Sequence, residues 1–302
     1  GDAEARAELE LVFRRSEAQG DEVVGWSALD LLARDGPDPF VREACLERLR
    51  GPQARAPGAA RGTALRLLAQ GWSDDPEILD LLWSHMEGPD RVEPFLLLPR
   101  LARADRERTV RFLEGELASG DMGKRIPEAL RFISGHPVPE AGPAVFDLAR
   151  RVAPEQRPVF YAVLAAIRTA GTEALLIGEL RGAPHPLVRE AATVELLNLG
   201  GEAGLDHLAE ALEAGDRVLL DALLQRALAA GATGVPDALL GGVLDQLRRA
   251  PDETRRRHAL FILRFRGTLA GVADGLMEAY RTEPSRRLAG EIRTVTLELA
   301  HR

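Results

Sequence analysis

Residues 185–215, HPLVREAATVELLNLGGEAGLDHLAEALEAG, carry the pattern from which the fold class is inferred. In its first half Val188, Ala192 and Leu196 recur every four positions, which is the spacing of one helix face and not the alternation of a strand. A pair of glycines then ends this helix, because glycine adopts the left-handed backbone that a helix end often needs. Residues 202–212 carry a second apolar face. The stretch therefore predicts two short amphipathic helices joined by a tight turn.

Similar units recur along the chain at intervals of 30 residues. Gly171, Gly201 and Gly231 mark three units, and Gly267 marks a weaker fourth unit after a shift in register. Four more columns keep the register of the first three units: Pro158, Val188 and Val218; Ala162, Ala192 and Ala222; Leu164, Val194 and Leu224; and Leu175, Leu205 and Val235. One helix pair cannot bury its apolar stripes alone, whereas stacked neighbours bury them in a continuous core.

The helical pattern continues, less regularly, back to the N-terminus and predicts an all-α fold. We expect one continuous α-solenoid, a superhelical array of about nine antiparallel helix pairs, over residues 1–302. Its repeats are regular in 154–302 and less regular in 1–153. The predicted pairs are 2–19/21–34, 38–50/58–70, 75–87/89–104, 106–119/124–134, 139–152/154–170, 172–182/185–199, 201–214/216–230, 235–249/252–266 and 268–282/284–300.

Glycine and proline separate the predicted helices, for example at Gly51-Pro52 and Gly88-Pro89. Other prolines in the first half, Pro94, Pro99 and Pro127, fall inside helical patterns. Because proline lacks a backbone N–H and interrupts a helix, they leave the number of repeats open.

Two segments resemble the helix start of HEAT-like repeats: Asp38-Pro-Phe-Val-Arg-Glu-Ala-Cys-Leu-Glu-Arg-Leu and His185-Pro-Leu-Val-Arg-Glu-Ala-Ala-Thr-Val-Glu-Leu-Leu. The short unit is similar to the variety first named after phycobilisome lyases, and the resemblance is strongest at 154–302. It implies that the Asp-Pro or His-Pro turn separates two helices and that the valine and alanine columns pack between helices. Proteins similar in this way include bilin lyases and alkylation-repair DNA glycosylases.

The composition excludes several classes of protein. Hydrophobic residues make up 45% of the chain, too many for a mostly disordered protein. No apolar run approaches the roughly 18 residues that a membrane-spanning helix needs. A net charge of −8 argues against nucleic acid and against an anionic membrane as partners, because phosphate binding depends on excess Lys and Arg. Residues 251–302 are the only basic region.

The single cysteine, Cys45, cannot form an internal disulfide and lies on an apolar stripe with Val41 and Leu49, which predicts a small core residue. No apolar signal-peptide core follows Gly1, so we expect a cytoplasmic protein. The missing initiator Met leaves two readings open, a removed leader or a fragment of a larger protein.

Motifs for catalysis or for cofactor binding are incomplete. Lys124 lacks the surrounding pattern of a phosphate-binding loop, and Gly200-Gly201-x-x-Gly204 is only faintly similar to a dinucleotide-binding turn because it joins two helices. Gly71-Trp72-Ser73-Asp74-Asp75 is better explained as the cap of the helix that Pro76 begins than as a nucleophile turn. We therefore predict no cofactor and no enzymatic activity.

The six histidines are dispersed, and no pair has the short spacing that metal ligands use. His136 and His185 each precede proline and are predicted to be turn residues. His207 and Glu210 lie one turn apart, which is more typical of a solvated helix face than of a metal site. We predict no metal site.

Two features carry a functional alternative. Arg255, Arg256 and Arg257 are either paired locally, Asp252 with Arg256 and Glu253 with Arg257, or they bind an acidic partner or a phosphate. The aromatic residues are predicted to fill the core, with an interface role as the alternative. These residues are Trp26, Trp72, Trp83, Phe160 and Tyr161.

The sequence thus favours a non-enzymatic scaffold or adaptor that binds a protein partner on the curved face of a HEAT-like solenoid. The alternatives are a bilin-lyase-like or other enzyme or chaperone on the same fold, and a regulatory domain of a larger signalling protein. The identity of the partner is left open.

Overall fold

The computed structural model describes residues 2–50, 59–88, 94–182, 185–266 and 271–301. In these ranges the only regular structure is helical, which confirms the predicted all-α class for the part of the chain described. The chain contacts divide it into two compact units, Gly1–Ala141 and Gly142–Arg302. The predicted turn residues Gly51, Pro52 and Pro89 and the fourth repeated glycine, Gly267, lie outside the described residues.

The described residues of the first unit form eight α-helices. They are α1 (Asp2–Gln19), α2 (Glu22–Leu32), α3 (Pro39–Arg50), α4 (Ala59–Gly71), α5 (Pro76–Glu87), α6 (Pro94–Ala104), α7 (Arg106–Ala118) and α8 (Arg125–Gly135). Side chains of aspartate begin several of them. Asp75, for example, accepts a hydrogen bond from the Glu77 backbone N–H at 3.0 Å, which confirms the predicted cap before Pro76.

The three prolines of the first unit that fall in helical patterns have different positions. Pro94 is the first residue of α6 and Pro127 lies in the first turn of α8, where a missing N–H costs little. Pro99 alone of the three lies inside a helix, in α6. The patterns around Pro94 and Pro127 are therefore helix starts and not interruptions.

The predicted core aromatic residues are largely buried. Trp83, Phe160 and Tyr161 are completely inaccessible and Trp26 is 7% exposed, which confirms their core role. Trp72 is only half-buried. The ring centroids of Trp83 on α5 and Phe112 on α7 lie 5.9 Å apart, so α5 and α7 contact each other in the core of the first unit.

The described residues of the second unit form ten α-helices. They are α9 (Gly142–Arg151), α10 (Pro158–Ala166), α11 (Thr172–Gly182), α12 (Pro186–Leu199), α13 (Glu202–Glu213), α14 (Arg217–Ala230), α15 (Leu240–Arg249), α16 (Glu253–Arg266), α17 (Val272–Thr282) and α18 (Arg286–Ala300). Neighbouring helices pack in pairs, as α11 does with α12, α15 with α16 and α17 with α18. Each even-numbered helix from α10 to α16 also contacts the next even-numbered one, and α11, α13, α15 and α17 form a second such series.

Of the repeated glycines that the structure describes, only Gly231 directly ends a helix, whereas Gly171, with a φ of +84°, directly precedes α11. Gly231 follows α14 with a φ of +59°. In the preceding unit the left-handed residue is Gly200, with a φ of +62°, whereas the repeated Gly201 is the extended N-cap of α13. A substitution by a residue with a Cβ is disfavoured at Gly200 and Gly231 for this backbone reason.

The two segments that resemble repeat starts use their arginine in the same way. Arg42 lies 2.9 Å from the N-cap carboxylate Asp75, and Arg189 lies 2.7 Å from the N-cap carboxylate Asp216. Each pair links one helix to the start of the next-but-one helix. The hydrogen bond from Arg42 holds the pKa of Asp75 below its usual value.

Among the described helices, none is long and apolar enough to cross a lipid bilayer.

Candidate binding groove of the second unit

An open groove of about 880 Å³ follows α16, which packs between α14 and α18. We call it the α16 groove. Its lining residues come from all three helices: Leu224, Leu228, Arg257, His258, Leu260, Phe261, Arg264, Arg287, Gly290, Glu291, Thr294, Val295 and Glu298. Arg257 pairs with Glu291 and Arg264 with Glu298, so both pairs join residues 34 positions apart. A constant offset means that α16 and α18 run parallel.

The middle of the α16 groove is apolar. Leu228 of α14 is 55% exposed, whereas Leu220, Leu223 and Ala227 of the same helix are buried. Phe261 of α16 is partly buried and stacks edge-on against Phe265, with centroids 5.1 Å apart. An exposed apolar surface in a concave place is the usual mark of a binding site.

A missing side chain keeps the groove open on the α18 side. Gly290 lies in the middle of α18, and a Cβ built on it would meet no atom within 4 Å. Thr294, one turn further on, is also small and exposed. Helical sequences rarely benefit from an interior glycine, which costs about 1 kcal/mol relative to alanine. At position 290 the glycine leaves open the space that a ligand would occupy, although it destabilises the helix.

Charged residues of the lining are bonded to one another along the edge of the groove. Arg264 contacts both carboxylate oxygens of Glu298, at 2.9 and 3.0 Å. Glu291 Oε1 lies 3.2 Å from Arg257 and 3.4 Å from Arg287. Two arginines thus share one carboxylate oxygen, and Arg287 remains 78% exposed.

His258 belongs to the lining and pairs with a carboxylate. Its Nδ1 lies 3.1 Å from Oδ1 of Asp221 on α14, so the two groups bridge α14 and α16 as the arginine–glutamate pairs bridge α16 and α18. Asp221 also lies 3.6 Å from Arg217. The α16 groove therefore has bonded polar groups along both of its sides.

The structure brings the three predicted arginines into ion pairs, but with different partners. Arg257 contacts Glu253 at 2.8 Å, as the i, i+4 rule predicts. The predicted contact between Asp252 and Arg256 is wrong, because Asp252 contacts Arg255 at 3.0 Å. Arg256 reaches instead to the buried carboxylate of Glu283, 3.0 Å away. Of the three arginines only Arg257 lines the α16 groove, and their role in binding an anion stays a prediction.

Gly201 and Gly204, from the segment that is faintly similar to a dinucleotide-binding turn, have a structural role. The Gly204 N–H donates to Glu173 Oε1 at 2.6 Å, so this carboxylate from α11 caps the start of α13. A Cβ on Gly201 would lie 2.3 Å from the same oxygen and one on Gly204 would lie 2.8 Å from it. Glycine at these two positions makes room for Glu173.

The predicted turn and surface histidines lie apart from the groove. His185 is the N-cap of α12 and accepts from the Leu187 N–H at 3.3 Å, and His136 stacks on Phe132 at 4.8 Å. His207 contacts Glu210 at 3.3 Å. Within the described ranges no three His, Cys, Asp or Glu side chains are grouped so as to hold a metal ion.

Cys45 is completely buried, which confirms its predicted place in the core, and burial raises the pKa of its thiol to about 12. Because the thiolate is the reactive form, we expect no modification of the folded protein by a maleimide at pH 8 within an hour. Stoichiometric modification in denaturant is expected to follow, as measured by intact mass. Modification of the folded chain at the same rate as the unfolded chain would contradict the burial of Cys45.

A comparison of the chain with protein-family models and with curated proteins gave no match.

The α16 groove was not evident from the sequence. Leu224 belongs to a repeated column whose first member, Leu164, is completely buried, so the column does not reveal that Leu224 lines a groove. The glycine at position 290 does not distinguish the groove in the sequence, because Gly178 is also an interior helical glycine with open space around it.

Proposed function

We propose that this protein is a non-enzymatic binding scaffold, an α-solenoid of HEAT-like helix pairs, that holds a protein partner in the α16 groove. Support for the solenoid comes from the contacts between next-but-one helices within the second unit, and from the matching use of Arg42 and Arg189. We further propose that it acts in the cytoplasm, without a membrane or nucleic acid as partner.

One observation carries the proposed binding role. The α16 groove combines an apolar middle, formed by the exposed Leu228 and the partly buried Phe261, with bonded charges at its edge. A core of apolar contacts enclosed by polar residues is the usual anatomy of a protein interface. An arrangement of this kind provides affinity in the middle and excludes water at the edge.

Filling the groove is expected to abolish partner binding. Gly290→Leu places a large side chain in open space, so the α18 helix is kept while the cavity is lost. Biotinylated protein would be incubated with extracts of the cells that make it, and the captured proteins compared by quantitative mass spectrometry. We expect at least one protein to be captured by the unaltered chain and reduced about tenfold or more with Gly290→Leu.

A matched control exists in α11. Gly178 is also an exposed glycine inside a helix, and a Cβ there meets no atom within 4 Å, but it does not line the groove. Gly178→Leu is expected to capture the same proteins as the unaltered chain, with equal helicity by circular dichroism for all three. Capture of an identical set by Gly290→Leu would contradict the proposed function.

A further inference from the structure

We infer that the occupant of the α16 groove is an amphipathic α-helix of the partner whose polar flank carries carboxylates. The inference rests on the proposed function and adds the chemistry of the partner. Three features of the groove support it: its length along parallel helices, the spacing of its apolar side chains, and the surplus of hydrogen-bond donors at its edge.

The groove has the form that accommodates a helix. Its floor and walls are helices, and α16 and α18 run parallel, so the groove is an open channel bounded by two rows of side chains. The bridges Arg257–Glu291 and Arg264–Glu298 lie seven residues apart on α16, which is about 10 Å along the helix axis. Packing of one helix against a groove between others is a common mode of recognition.

The apolar side chains have helical spacing. Leu224 and Leu228 are one turn apart on α14, while Gly290 and Thr294 leave space one turn apart on α18. Phe261 lies on α16 between them. Apolar residues at positions i, i+3 or i+4, and i+7 of a bound helix would face this row, whereas an extended segment, whose side chains alternate, would turn half of them away.

The edge of the groove offers donors in excess of acceptors. Its lining contains three arginines and two glutamates, on a chain with a net charge of −8. A guanidinium has five N–H donors, and Arg287 Nε lies 3.4 Å from Glu291 Oε1. Arg264 donates to Glu298 Oε1 and its Nε lies 2.9 Å from Oε2, while Glu291 Oε1 is shared by two arginines. Arg257 is already paired with Glu253 and Glu291, whereas Arg287 is 78% exposed, so a carboxylate on the flank of the ligand would complement Arg287.

The ligand class is tested by an unbiased selection. A phage-displayed library of random 16-residue peptides would be selected on the full chain and counter-selected on the Gly290→Leu variant. We expect enriched peptides with apolar residues at i, i+3 or i+4, and i+7 and a net negative charge. Circular dichroism is expected to show helix formation when they bind.

Other outcomes would overturn the inference. These are enriched peptides without helical periodicity, enriched peptides with a net positive charge, peptides that bind Gly290→Leu equally well, and no enrichment at all. The proposed function fails separately, through capture of the same cellular proteins by Gly290→Leu. A cellular partner that Gly290→Leu loses, but whose bound segment is extended or basic, would sink the inference and leave the function standing.

Charge reversal at one arginine tests the acidic flank directly. Arg287→Glu is expected to weaken an enriched acidic peptide about tenfold or more by fluorescence anisotropy, and replacement of the peptide's glutamates by lysine is expected to restore binding to this variant. Arg249→Glu is the matched control, because Arg249 is 79% exposed and also contacts a carboxylate one turn earlier, Asp245 at 3.9 Å, away from the groove. An equal effect of both reversals would show that net charge alone is being measured.

Discussion

Replacement of Trp83 by alanine is expected to lower the free energy of unfolding by about 3–5 kcal/mol, measured by urea denaturation. Trp83 is completely buried in α5. Its ring lies 5.9 Å from that of Phe112, and the guanidinium of Arg108 lies 5.3 Å from its centroid. Alanine would remove both contacts and leave a cavity between α5 and α7, because a packed helical core relaxes only in part.

Trp83→Phe keeps an aromatic ring at this position and removes only part of the buried volume. The indole Nε1 is buried and has no hydrogen-bond partner within the described residues, so phenylalanine leaves no acceptor unpaired. We expect phenylalanine to cost less than about half as much as alanine. If both substitutions cost the same, the stabilisation does not come from packing of the ring, and the core assignment of Trp83 is wrong.

The helical units were predictable because they depend on local periodicity. The stripe at Val188, Ala192 and Leu196 is buried as its spacing predicted, and Asp75 begins α5 as its position before Pro76 predicted. These signals lie within one helix or its cap. Because these signals depend only on residues close in sequence, they predict the helices without knowledge of which helices become neighbours.

The ion pairs were predictable only in part, for the opposite reason. Glu253 and Arg257 lie on one helix face and meet as expected. Arg256 instead reaches Glu283, which is distant in sequence and precedes α18. Helical spacing identifies possible ion-pair partners within one helix. It gives no information about a carboxylate from another helix that tertiary packing brings closer.

The α16 groove escaped sequence reasoning because it depends on a difference between repeats. Leu164 and Leu224 occupy the same column, yet Leu164 is buried and Leu224 lines the groove. What opens the space beside α16 is Gly290 on α18, outside the three regular units. A repeat pattern describes what the units share, whereas a binding site arises where one unit departs from the others.

The partly buried pair of Arg157 and Glu179 provides a second test with a large expected effect. Arg157 Nη1 donates to Glu179 Oε1 at 2.6 Å, and the side chains are 25% and 10% exposed. Burial raises the pKa of the neighbouring Tyr161, and the Glu179 carboxylate raises it further. Because α11 carries Glu179 and Arg157 precedes α10, the pair links two neighbouring helices of the second unit.

Glu179→Leu is expected to lower the free energy of unfolding by about 2–3 kcal/mol, because it leaves the Arg157 guanidinium without its carboxylate in a partly buried place. The value is below that of a completely buried pair, since a quarter of the Arg157 side chain still reaches water. The double variant Arg157→Met, Glu179→Leu has no such charge left, so it is expected to be more stable than Glu179→Leu alone. Urea denaturation of the unaltered chain, the two single variants Arg157→Met and Glu179→Leu, and the double variant gives the coupling energy of the pair. If the effects of the two single substitutions add within about 0.5 kcal/mol, the pair does not hold α10 and α11 together.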